Sequence, residues 1–138
     1  MPDKQWRLGN YEILGEIGRG GRGVIYRARQ RHSRRIVALK RVIAYQADSH
    51  DTLVRFRREA EASASLDHPN SLPIYEVGES EDGLPFFSMK FATGGSLQQV
   101  GPALRTEPRQ CVQLMVKVSR AVEYAHSQGI LHRDLKPG

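Results

Sequence analysis

The sequence is poor in the features that hold a chain together by means other than a packed core. It has a single cysteine, Cys111, so no internal disulfide can form, and a reducing compartment suits it. It has no uninterrupted apolar run of the ~18 residues that a membrane-spanning helix needs. The opening stretch from Met1 to Asn10 has no apolar core and no small-residue cleavage pattern, which argues against a secretory leader. His32, His50 and His68 stand apart, without metal-ligand spacing. No segment repeats, and none is of low complexity.

What is present is a chain of 138 residues, 39% hydrophobic and 26% charged, the composition of a soluble folded domain or part of one. The net charge of +6 attracts polyanions, nucleotide phosphates among them, without choosing between them. The cations spread over Arg19 to Arg41, Arg55 to Arg58 and Lys117 to Lys136. With no finger spacing and no aromatic box, a nucleic-acid partner is not expected.

Branched residues bounded by turn formers predict strands over Tyr11 to Ile17, Gly23 to Gln30 and Arg35 to Ile43, an antiparallel meander. From Asp51 to Leu66 the period becomes helical, with Leu53, Phe56, Ala60 and Ala64 on one face. Strands follow at Leu72 to Val77 and Pro85 to Phe91, and Thr93-Gly94-Gly95-Ser96 reads as a flexible break. A second long helix spans about Glu107 to Gln128, with Val112, Met115, Val118, Val122 and Ala125 as its apolar stripe. Cys111, at its start, reads as a small core residue. Arg55, Arg57 and Arg58 read as a solvated helix face, and Trp6 as an anchor before the first strand.

Three constellations carry chemistry. Gly18-Arg19-Gly20-Gly21-Arg22-Gly23 lies between two strands. Its glycines permit a tight turn and leave N–H groups open to phosphate oxygens, and Arg19 and Arg22 add positive charge. Val24-Ile25-Tyr26 after it reads as a strand, which excludes a dinucleotide fold, and no Gly-Lys-Ser/Thr follows, which excludes a Walker loop. Lys40 closes the apolar run Val37-Ala38-Leu39 and needs an anion there. Glu59, beside the buried stripe of the next helix, and Glu61, turned further toward solvent, are the nearby carboxylates. Last comes His132-Arg133-Asp134-Leu135-Lys136-Pro137, in which Asp134 can accept a proton from an attacking hydroxyl and Lys136 can neutralise charge on a moving phosphoryl group.

In this order the three resemble the eukaryotic-like (Hanks-type) protein serine/threonine kinases of bacteria, from Tyr11 to the end of the chain. The resemblance implies an α+β kinase-like fold. A five-stranded antiparallel N-lobe with one αC-type helix would occupy residues 1–92, and the start of a helical C-lobe residues 93–138. It implies that the loop from Gly18 through Gly20 to Gly23, with Val24, covers the phosphates of ATP. Ile17 and Ile25 would roof the adenine and Ala38 line its pocket. Lys40 would hold the α- and β-phosphates and pair with Glu59. Met89 would be the gatekeeper, and Lys90-Phe91-Ala92 the hinge. Asp134 would be the catalytic base, and Lys136 marks the serine/threonine branch.

Two positions depart from the pattern. Arg22 stands where a bulky apolar residue usually shields the phosphates, and Lys90 where the hinge often has Glu. The family's metal-binding Asn and Asp-Phe-Gly segment would follow Gly138. The resemblance therefore implies ATP and Mg²⁺ as cofactors but no Mg²⁺ ligands within these residues. It also implies an incomplete catalytic domain, inactive by itself. The expected partners are ATP, a protein carrying the target hydroxyl and a second kinase copy, and the expected location is the cytoplasm. An anchor after residue 138 is left open. The alternative reading is a short nucleotide-binding or kinase-interacting module of pseudokinase type, its contact surface the apolar stripe of the second helix.

Overall fold

Alternation of apolar and polar residues in the first half of the chain produces strands with two different faces. The computed structural model describes residues 7–20, 23–42 and 50–131. They form β1 (Arg7–Leu8), β2 (Tyr11–Gly20), β3 (Gly23–Gln30), β4 (Ile36–Arg41), α1 (His50–Ala64), β5 (Ile74–Glu79), β6 (Pro85–Lys90), α2 (Leu97–Leu104) and α3 (Pro108–Ser127). They divide into two compact units. One runs to Ser65 and includes Pro73–Phe91; the other holds Leu66–Leu72 and the residues from Ala92 on.

The first unit is an antiparallel sheet in the order β1-β2-β3-β4-β6-β5. The sheet has six strands where five are predicted. The extra one is the two-residue β1, which turns at Gly9 (φ 55°) and pairs Leu8 with Tyr11. Two residues are too few to show a period, which is why the sequence hides it.

The sheet is curled. Tyr11 on β2 reaches across β3 and β4 to donate its hydroxyl to Glu76 Oε2 on β5, and its oxygen lies 3.0 Å from Ser88 Oγ on β6. Inside the curl Leu8, Tyr11, Val24, Tyr26, Ala28, Val37, Leu39 and Phe86 make one buried cluster. On the other face Val42 and Phe87 meet Phe56 and Ala60 of α1, with Leu53, Ile74 and Met89 packed around them. The rings of Phe56 and Phe87 lie 5.3 Å apart, which sets the rotation of α1 about its axis.

In the second unit, the glycine-rich stretch expected as a break is one, a turn at Thr93-Gly94 between β6 and α2, and its last residue serves the helix that follows. Ser96 caps α2 in a capping box with Gln99, satisfying donors at the helix start. α3 begins at Pro108, where the absent N–H costs nothing, and ends before Gly129 at φ 79°. His68 stacks on Tyr124 with ring centroids 5.4 Å apart, and Asn70 Nδ2 donates to the Lys117 carbonyl at 3.2 Å. The apolar stripe expected of α3 is only partly covered: Ala125 is buried, whereas Val112 and Met115 are exposed. Cys111 is half-buried and lies 3.0 Å from the Leu104 carbonyl oxygen. Among the described residues no helix is long and apolar enough to cross a membrane. Trp6 lies outside the described residues.

Candidate nucleotide-binding site

Strand register assembles the site. Residues facing each other across an antiparallel pair share a face of the sheet. Ile25 pairs with Lys40, and Lys40 with Phe87; Arg27 pairs with Ala38, and Ala38 with Met89. Ile25, Ala38, Lys40 and Met89 therefore lie on the face where Phe87 packs against α1. Val24, one residue away, is in the opposite core cluster with no exposed surface, so only its main chain is offered to this face.

Lys40 stands on that face with a partner supplied by α1. Its Nζ is 2.8 Å from Glu59 Oε1, and the side chains are 20% and 39% exposed. The contact follows from the apolar spacing of α1. Phe56 and Ala60 point into the sheet, and Glu59, one residue before Ala60, lies at the margin of that stripe. The Lys40 ammonium also lies 5.8 Å from the centre of the Phe87 ring. Glu61 is exposed, as its position on the helix implies.

β2 and β3 form a hairpin at the glycine segment, as its place between two strands implies. β2 continues past Ile17 to Gly20, which pairs with Gly23, and bulges near Gly15 and Gly18 bend it. Its glycines have different physical reasons. A Cβ at Gly23 would fall 2.5 Å from the Arg41 carbonyl oxygen, so this glycine lets β3 rest on β4. A Cβ at Gly18 would meet nothing within 4 Å. Among the described residues no atom accounts for its lack of a side chain, which leaves the backbone there bare. Ile17 beside it is 50% exposed, an apolar side chain with little protein around it.

The electrostatics of the hairpin differ from the reading of Arg19 as an added positive charge. Its guanidinium donates to both carboxylate oxygens of Glu16, at 2.9 and 3.2 Å. That hydrogen bonding holds the Glu16 carboxyl below its ordinary range. Glu16 carries no motif signal; only the bend between Glu16 and Gly18 brings it to Arg19.

Met89 is half-buried and Lys90 exposed at the end of β6. The guanidinium of Arg27 lies 6.0 Å from the centre of the Phe91 ring. Ala92 is exposed and belongs to the second unit. Gly21, Arg22, Asp134 and Lys136 lie outside the described residues. The first unit thus offers an ion-paired lysine, a bare glycine backbone, an apolar patch of Ile25, Ala38 and Met89, and an exposed Ile17 next to Gly18. Those suit the charged and flat parts of a nucleotide such as ATP.

Comparison with known proteins agrees with this arrangement. The family model described as protein kinase domain matches residues 11–138. The chain is 40% identical over 134 residues to the DNA damage-responsive serine/threonine-protein kinase RqkA of Deinococcus radiodurans, covering 94% of this chain and 20% of that protein. It is 37% identical over 133 residues to the serine/threonine-protein kinase PrkC of Bacillus subtilis, again with 94% and 20% covered. It therefore spans about a fifth of the length of these curated relatives. The crystal structure of a point mutant of the Mycobacterium tuberculosis PknI kinase domain superposes with a TM-score of 0.74 at 26% identity, over 99% of this chain and 56% of that one. With its curled sheet, its helix carrying the carboxylate for Lys40, and these matches, the chain belongs to the protein kinase domain family.

Proposed function

We propose that this chain is the ATP-binding part of a bacterial protein serine/threonine kinase, which transfers the γ-phosphoryl group of ATP to Ser or Thr hydroxyls of other proteins. The single observation that carries the reading is the Lys40–Glu59 pair on the face that also bears Ile25, Ala38 and Met89.

In this reading Lys40 binds the α- and β-phosphates through its ammonium, and Glu59 keeps that ammonium from swinging to solvent. The main chain from Gly18 to Gly23 covers the phosphates, and Gly18 lets the backbone approach them. Ile17, Ile25 and Ala38 exclude water around the base. Met89 and the stretch 90–92 border it. ATP supplies the transferable phosphoryl group, with Mg²⁺ neutralising its oxygens. Asp134 accepts the proton of the attacking hydroxyl, and Lys136 offsets charge on the transferred group. An ATP-using enzyme of this class works in the cytoplasm.

Calorimetric titration of the chain with ATP and Mg²⁺ tests the binding half. Saturable binding is expected, weakened about ten-fold or more by Lys40→Ala, the size of a lost charged hydrogen bond. Equal affinity in Lys40→Ala, or no binding by the unaltered chain, overturns the reading. Transfer of labelled phosphate to a serine-containing peptide by the native protein, abolished by Asp134→Asn, tests the catalytic half.

A further inference from the structure

Arg41 is the residue next to Lys40, and it faces the other way. Its side chain is only 11% exposed, and an arginine is seldom so enclosed unless its charge is matched. Its Nη2 donates to Asp82 Oδ2 at 3.2 Å, and its Nε to the Val42 carbonyl at 3.4 Å. Asp82 sits in the turn between β5 and β6. Its Oδ1 accepts the Ser80 hydroxyl and the Leu84 N–H. The turn is closed by Ser80 N–H to the Leu84 carbonyl at 2.9 Å and by Gly83 at φ 77°. Asp82 is thus held rigidly where it takes the guanidinium, although it lies 41 residues further along the chain.

The main chain of Arg41 is also where the glycine hairpin rests. Arg41 pairs with Val24 on one side and Phe86 on the other, and the Gly23 Cα lies so close to the Arg41 carbonyl that no Cβ fits between them. The end of β4 therefore carries three things within two residues: the Lys40 ammonium, the contact supporting Gly23 and the ion pair to Asp82.

We propose that Arg41, tied to Asp82, is a positioning residue for nucleotide binding: the pair fixes the end of β4 and so sets the height of the glycine hairpin over the phosphates. This rests on the nucleotide-binding reading above. Arg41 and Asp82 touch no phosphate themselves. Releasing the tie affects the grip on the phosphates and leaves the apolar patch for the base as it was.

Two measurements on the 138-residue chain test it. In the first, affinities for ATP and adenosine are compared in Asp82→Asn, an isosteric change at a half-exposed side chain, with the variant's fold checked by circular dichroism. ATP affinity is expected to fall about five-fold, the size of one partly buried ion pair, with adenosine affinity unchanged. Arg41→Lys, which keeps the charge, is expected to lose less than Arg41→Met. Equal losses for ATP and adenosine, or no loss for either, overturn the proposal.

In the second, amide hydrogen exchange is followed without nucleotide. Faster exchange at Val24 in Asp82→Asn, with Ile25 and Val37 unchanged, is expected. Unchanged exchange at Val24 overturns the proposal even if ATP binds well. An unaltered chain that binds neither ATP nor adenosine overturns the nucleotide reading itself, and the proposal with it.

Discussion

Lys40 on β4 and Glu59 on α1 meet at 2.8 Å across 19 residues of sequence. The pair is partly exposed, so its contribution to folding is small, about 1 kcal/mol or less. Its consequence is orientation. Glu59→Gln is therefore expected to change chemical stability by no more than about 1 kcal/mol while weakening ATP binding several-fold. Urea unfolding and calorimetric titration of the same variant check this. A variant that loses stability and binds ATP unchanged contradicts it.

Gly18 and Gly23 are expected to respond oppositely to alanine. At Gly23 the added Cβ meets the Arg41 carbonyl oxygen, and Gly23→Ala is expected to destabilise the fold by about 1–3 kcal/mol. At Gly18 there is open space, so Gly18→Ala leaves stability unchanged or raises it by ~0.5 kcal/mol. Its cost is to ATP affinity. Thermal melts with and without ATP separate the two effects, and equal destabilisation by both variants would count against the account.

Tyr11 ties β2 to β5 and β6. Burial first, and then the hydrogen bond to Glu76, raise its phenol above the ordinary value of 10.0. The folded state thus holds the phenolic proton more tightly than the unfolded chain does. The stability from this group is present below pH 10.0 and is lost as the pH rises through the folded value. Tyr11→Phe is expected to cost about 1 kcal/mol at neutral pH, because the Ser88 hydroxyl loses a buried partner. The variant should also lose less stability than the unaltered chain between about pH 9 and 11. Urea midpoints across that range show whether the two curves converge, and parallel curves would refute the assignment.

Val112 and Met115 on α3 are 63% and 56% exposed. Side chains so little buried contribute little to the fold of this chain. Met115→Gln is expected to shift stability by no more than ~0.5 kcal/mol, measured by thermal melting. A loss above about 2 kcal/mol would mean that Met115 is buried in solution.

Much of this architecture is written in local pattern. β3, β4, β5, β6, α1 and α3 follow from alternation or helical spacing, whereas spacing leaves both Glu59 and Glu61 open as the partner of Lys40 and the family resemblance selects Glu59. What escapes the pattern has physical reasons. α2 contains Gly101 and Pro102, residues that read as breakers, and its capping box at Ser96 outweighs them. β2 runs through its glycines because the hairpin partner supplies the hydrogen bonds. The ties from Tyr11 to Glu76, from Arg41 to Asp82 and from Asn70 to Lys117 join residues far apart in sequence, which no local period can show.

The central claim is that the face bearing Ile25, Ala38 and Lys40, under the Gly18 hairpin, receives ATP. Amide chemical-shift mapping during a titration with ATP and Mg²⁺ tests it most directly. The account predicts saturable shifts at Gly18, Ile25, Ala38 and Lys40, absent in Lys40→Ala. Shifts confined to the arginine-rich turn from Arg31 to Arg35, or no saturable shifts at all, would contradict it.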